Sequence, residues 1–145
     1  MRIIVSFLLA ITLTACQHDT VLIDTNGQTV NLTHHPQQWL MLNYWASWCS
    51  HCRDEIAELN VFYQQHHQQV LLYGVNYDQL SLTQLHQESS RMGIDYPLLT
   101  TDPAALLHLA PIDSLPVTFV YDPTGTLRKV LHGPQTQTSL MAAME

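Results

Sequence analysis

Two cysteines three positions apart, placed where an apolar run gives way to a helical one, constrain this chain more than any other feature. They lie in the stretch Trp45-Ala46-Ser47-Trp48-Cys49-Ser50-His51-Cys52-Arg53. The residues before it, Trp39-Leu40-Met41-Leu42-Asn43-Tyr44, form a short apolar and aromatic run, which predicts a buried strand over 39–45. From Asp54 to about Gln68 the apolar residues Ile56, Leu59, Val61, Phe62 and Tyr63 recur with helical spacing. The cysteines therefore fall at a strand-to-helix junction, with Cys49 at or near the helix N-terminus. Unpaired backbone N–H groups and the positive end of the helix dipole favour an anion there. A thiolate is such an anion, so Cys49 is expected to be a reactive thiol. Cys52, one turn on, is close enough to form a small disulfide ring with it. Half of a zinc site is the alternative, but a structural site takes about two more ligands, usually from a second Cys or His pair. No second Cys-x-x-Cys exists in the chain, and the strand–helix context favours redox chemistry.

The rest of the chain reads as one domain over residues 21–145. Residues 21–32 hold two apolar runs around Asn26-Gly27, a strong hairpin signal because both residues tolerate positive φ. Residues 33–38 are a loop punctuated by Pro36. Val70–Asn76 is a second buried strand, and helical signals at 81–92 follow it, so the sheet core is expected to be parallel. Residues 94–99 have the pattern of a short edge strand. Asp102-Pro103 is placed to open a helix reaching about Leu109, with Asp102 as N-cap and Pro103 in its first turn. A strand after Pro116, a turn at Asp122-Pro123-Thr124-Gly125 and a partner strand over 126–131 make an antiparallel hairpin. A helix over 135–144 closes the chain.

The run from Asn43 to Glu55 resembles the active-site segment of the thioredoxin superfamily, and within it the TlpA/ResA-type extracytoplasmic thiol–disulfide oxidoreductases. The likeness covers roughly residues 20–143. It implies an α/β thioredoxin fold: a central mixed β-sheet flanked by helices, with an N-terminal β-hairpin and a helix–strand insertion. It also implies a Cys49–Cys52 disulfide, with Cys49 as the attacking nucleophile and Cys52 as the resolving thiol. Pro116 aligns with the superfamily's cis-proline, so the Leu115–Pro116 bond is expected to be cis and its neighbouring backbone to pair with substrate. Glu55 matches an acidic residue beneath the cysteines that accepts a proton as Cys52 attacks, or is simply a carboxylate in the first helical turn. Asn43 stands where thioredoxins carry a buried acid and cannot itself be a base. Ala57 replaces a proline that kinks this helix in related proteins. Trp48 is expected to shield the disulfide and offer an apolar contact surface, while Trp45 and Trp39 belong to the core.

His51, between the cysteines, is expected to stabilise the Cys49 thiolate and make the couple less reducing than a thioredoxin; DsbA resembles this chain in having His there. Trp48, His51 and Leu115 are thus the substrate-contact candidates, and Cys49, Cys52, Glu55 and Pro116 the catalytic ones. The resemblance implies exported cysteine proteins as clients, apocytochrome c among them, and a membrane reductase of the DsbD/CcdA kind as electron source. No cofactor or metal is expected. His51 keeps a thiol oxidase or isomerase role in play, and Cys49, His51 and Cys52 together keep copper delivery in play. The pairs His34-His35 and His66-His67 invite a metal reading, but adjacent residues on a helix do not share a face, so His66-His67 is a poor chelate.

Charge and the N-terminus bear on address. A formal net charge of −7, with only five Lys+Arg, leaves no nucleic-acid footprint. Residues 1–15 combine Arg2 with an apolar stretch too short to span a membrane, as in a secretory signal. Leu13-Thr14-Ala15-Cys16 resembles the lipobox of bacterial lipoproteins, in which cleavage precedes a lipidated cysteine, here Cys16. Residues 16–20 would then be the lipidated cysteine and a tether, on the periplasmic side of a membrane. Export implies an oxidising compartment.

Overall fold

The computed structural model describes residues 21–33 and 35–145. The expectations for residues 1–20, including the signal segment and lipidation of Cys16, lie outside the described residues, as does His34.

The strand predicted over 39–45 is β3 (Trp39–Trp45), and it sits inside a four-stranded sheet. It pairs in parallel with β4 (Val70–Asn76) and antiparallel with β5 (Val117–Tyr121), and β5 pairs antiparallel with the edge strand β6 (Leu127–His132). The sheet is mixed, in the order β4-β3-β5-β6. Helix α1 (Ser50–His66) carries the chain from β3 to β4, and α2 (Leu82–Met92) and α3 (Gln137–Ala142) follow later. A separate two-stranded hairpin, β1 (Val21–Ile23) with β2 (Thr29–Asn31), packs at the N-terminal side.

Side chains alternate across β3, and both faces are covered, which is why its sequence is apolar apart from Asn43. Met41 and Trp45 join Ile56, Leu59 and Phe62 of α1 and Leu140 of α3 in one core cluster. Leu40, Leu42 and Tyr44 join Leu22, Val30 and Leu32 of the hairpin region and Phe119 of β5 in the other. Asn43 shares the parity of Met41 and Trp45, so a polar group is buried on the α1 side.

Several details depart from the pattern read in the sequence. The hairpin turn is built by Asp24, whose Oδ1 accepts from the N–H groups of Asn26 (2.8 Å) and Gln28 (2.9 Å), and only Gly27 takes a positive φ, +76°. The helix after the cysteines begins at Ser50, before the residues whose periodicity announces it, and runs unbroken past Ala57. Residues 94–99 make single bridges and no full strand: Gly74 to Leu98 on one side, Asp24 to Leu99 on the other. Pro97 has no N–H to extend such a ladder. The helix expected from Asp102 to Leu109 is a correction, because only turns form there. Asp102 does cap, accepting from the Ala104 N–H at 2.9 Å, but His108 takes a φ of +50° and ends the coil. Leu106, Leu107, Leu109 and Ile112 all pack against the hairpin-side core. At 100° per residue a straight helix would spread these four around its circumference, so turns bury them better.

Candidate active site

Cys49 is the N-cap of α1, with extended backbone (φ −82°, ψ 108°), and its Sγ accepts the N–H of Cys52 at 3.1 Å. The sulfur thus occupies the position where a helix start holds an anion. Cys49 and Cys52 form a disulfide with a Cα–Cα distance of 5.3 Å, ordinary for such a bridge. Cys49 is the more accessible partner, 6% exposed against 1% for Cys52. Arg53 steadies the approach to the helix: its guanidinium donates to the Ser47 carbonyl at 3.0 Å and its Nε lies 3.3 Å from the Met92 sulfur.

Trp48 is the exposed wall of the site. It is 65% exposed, large for an aromatic ring, yet held in place. Its indole N–H donates to Asp78 Oδ2 at 2.9 Å and it meets Tyr77 edge-on, with ring centroids 6.5 Å apart. Trp48 and Tyr77 form one side of a groove of about 210 Å³ whose other side is Ile112, Asp113, Ser114 and Leu115. The Leu115–Pro116 bond is cis, and Pro116 is buried directly before β5. Because Tyr44 pairs with Val117, Pro116 lies at the same end of the sheet as the strand end that leads into Trp48 and Cys49. His51 points to solvent, its Nδ1 3.3 Å from Asp54 Oδ2 one turn on. Trp45 is buried in the core, as expected.

Beneath the disulfide lies a buried polar network. Glu55, one helical turn after Cys52 and only 1% exposed, accepts from Asn43 Nδ2 at 2.7 Å and from the Gln135 backbone N–H at 2.9 Å. Burial pushes its carboxyl up to about 7, against the partial opposing effect of those two hydrogen bonds. Asn43 Nδ2 also donates to Thr118 Oγ1 at 3.1 Å, a contact set by the Asn43–Thr118 register of β3 and β5. The Tyr96 hydroxyl donates to Asn43 Oδ1 at 3.2 Å. Burial, and secondarily the nearby Glu55 carboxylate, push the Tyr96 phenol well above its ordinary value.

Sequence reasoning did not single out Tyr96, Thr118, Gln135 or Asp78. Thr118 had a visible signal, a polar residue inside an apolar strand, as Asn43 has. The others come from loops and act across 30 to 80 residues of chain, so local pattern carries nothing about them. Among the described residues no group of three or more His, Cys, Asp or Glu side chains is placed to hold a metal ion.

The family model described as AhpC/TSA matches residues 12–130, most of the chain. The chain belongs to the AhpC/TSA family. It is 27% identical over 128 residues to the thiol-disulfide oxidoreductase ResA of Geobacillus thermodenitrificans, covering 88% of this chain and 73% of that protein. The Bacillus subtilis ResA is also 27% identical, over 121 residues, covering 83% of this chain and 67% of its own length. Among solved structures, StoA from Bacillus subtilis superimposes with a TM-score of 0.71 at 22% identity, covering 87% of this chain and 96% of the other. A DsbF homologue from Corynebacterium diphtheriae gives 0.70 at 23% identity, with coverage of 86% and 81%. These solved structures share the thioredoxin-like fold seen here.

Proposed function

We propose that the protein is a thiol–disulfide oxidoreductase that exchanges electrons with cysteines of other proteins through Cys49 and Cys52. The observation that carries this reading is the Cys49–Cys52 disulfide at the N-terminus of α1, with the Glu55 carboxyl one turn below it. The relatives named thiol-disulfide oxidoreductases support it.

The steps follow from the geometry. In the reduced protein the helix N-terminus stabilises the Cys49 thiolate, which attacks a client disulfide. One client sulfur leaves as thiolate and the other stays bound to Cys49. Cys52 then loses its proton and attacks Cys49 Sγ, which releases the second client thiolate and forms the Cys49–Cys52 disulfide. Two electrons pass to the client. Glu55, with a carboxyl near neutrality, is the group placed to take the Cys52 proton. Trp48 and Leu115 flank the groove that receives the client beside Cys49, and the backbone at Pro116 offers it strand-like pairing.

We take the direction as reductive: His51, which would favour an oxidant by stabilising the Cys49 thiolate, engages Asp54 instead. Clients are exported proteins with cysteines, apocytochrome c among the classes the resemblance suggests, and electrons come from a membrane reductase of the DsbD/CcdA kind. Residues 1–15 act as an export signal and Cys16 as a lipid anchor, with residues 16–20 as tether to the domain at 21–145.

Trapping tests this reading. Cys52→Ala should accumulate a mixed disulfide between Cys49 and client, because the resolving thiol is gone, whereas Cys49→Ser should accumulate none. Equal trapping by both variants, or by neither with a reducible client, would refute it. A reduction potential near that of thioredoxin, about −270 mV, fits the reductive direction, and one near about −120 mV contradicts it.

A further inference from the structure

We infer that Tyr96 is a positioning residue for Glu55: its hydroxyl fixes the Asn43 amide so that the amide N–H faces the carboxylate. The inference rests on the reading of Glu55 as the group that exchanges a proton with Cys52, and it adds a residue from a distant part of the chain to that reading.

Three contacts define the Asn43 amide, which is fully buried. Oδ1 accepts from the Tyr96 hydroxyl at 3.2 Å, and Nδ2 donates to Glu55 Oε1 at 2.7 Å and Thr118 Oγ1 at 3.1 Å. All of the amide's donors are used. A threonine hydroxyl can donate or accept, so Thr118 is satisfied by either orientation of the amide. Tyr96 is not. Its O–H is buried with Asn43 Oδ1 as acceptor, and a turned amide would leave that proton without one. A turned amide would also aim Oδ1 at Glu55, which only a protonated carboxyl tolerates. Tyr96 therefore selects the orientation that suits an ionised Glu55.

The links run head to tail, from phenol O–H to amide oxygen and from amide N–H to carboxylate, so each polarises the next. The segment bearing Tyr96 is itself pinned to α1. Asn60 accepts the Asp95 N–H at 2.9 Å and donates to the Gly93 carbonyl at 2.7 Å. Gly74, opposite Asn43 in β4, leaves room for this segment: a Cβ there would overlap Leu98 and sit 3.1 Å from the Tyr96 ring. The titratable neighbours of Glu55 are Tyr96 on this segment and Glu58 one turn on along α1; Cys52, one turn before, is held in the disulfide and does not titrate. β3, β5 and the loop before α3 present the uncharged Asn43, Thr118 and Gln135.

The experiment follows the protonated-carboxyl infrared band of Glu55 against pH in the oxidised protein, assigned by its loss in Glu55→Gln. Tyr96→Phe removes the first link and frees the amide to turn, and both effects favour the protonated carboxyl. The midpoint should rise by about half a pH unit. The pH profile of exchange with a small disulfide should move with it. A folded Tyr96→Phe protein whose Glu55 midpoint is unchanged or lower overturns the inference. Should Tyr96→Phe not fold, a ring-fluorinated tyrosine at 96 keeps the packing and donates more strongly; its midpoint should fall, and an unmoved midpoint again overturns the inference. A midpoint that shifts while the exchange profile stays fixed upholds the Tyr96–Asn43–Glu55 link and removes Glu55 from the exchange step instead.

Discussion

At the scale of single residues, Glu55 is the group whose state depends most on the fold. An exposed glutamate titrates near pH 4.5, and burial raises this one to about 7. A carboxyl with a raised value in the folded state holds its proton more tightly there than in the unfolded chain. Its contribution is therefore most favourable below about pH 4.5, and it is lost progressively as pH climbs through about 7. The difference amounts to about 3 kcal/mol. Urea unfolding of the oxidised protein should accordingly show wild type losing stability between pH 5 and pH 8 relative to Glu55→Gln, which cannot titrate. A stability difference between the two proteins that is flat with pH would show that Glu55 is not perturbed by the fold. At this scale the sequence was informative about types and silent about partners. Cys49 and Cys52 announce their places through spacing and the strand–helix junction, and Pro116 through the family resemblance. The polar network around Glu55 does not, because Tyr96 and Gln135 reach Asn43 and Glu55 from loops 53 and 80 residues away.

At the scale of elements, β3, β4 and β5 were legible because strands buried on both faces are mostly apolar. The start of α1 was legible from the strand–helix junction, which placed Cys49 at or near it, although Ser50 and His51 carry no apolar periodicity; Cys49 is the cap. The 102–109 segment shows the reverse case. Its Asp-Pro signal is real, and Asp102 caps Ala104, but Asp102 also accepts the Tyr44 hydroxyl at 2.7 Å, and the leucines beyond it are spent on core contacts in several directions. Tertiary burial outweighs local helix preference. The crossing of β4 by the 94–99 segment depends on a missing side chain. A Cβ at Gly74 would overlap Leu98 and lie 3.1 Å from Tyr96 and 3.2 Å from the Trp45 indole nitrogen. Gly74→Ala should destabilise the protein by about 1–3 kcal/mol, read as a lower midpoint in urea. An unchanged midpoint would mean that the Leu98 side chain gives way without cost.

At the scale of the whole molecule, the sheet and α1 deliver a disulfide to one end of the fold, and the insertion between α2 and β5 builds both flanks around it. Residues 94–99 bring Tyr96 to the buried network below, and residues 112–115 form the far wall of the groove above. The insertion was visible in the sequence as extra chain, but its two contributions were not, since each is made by side chains meeting elements far along the chain. The function that follows is a reversible two-electron exchange by Cys49 and Cys52 as one couple. The most direct measurement is a redox titration of the pair in thiol–disulfide buffers, read by thiol alkylation. The predicted result is a single reversible transition changing tenfold per about 30 mV and abolished by Cys49→Ser. Two thiols that stay reduced, or stay bonded, across the whole range would contradict the account.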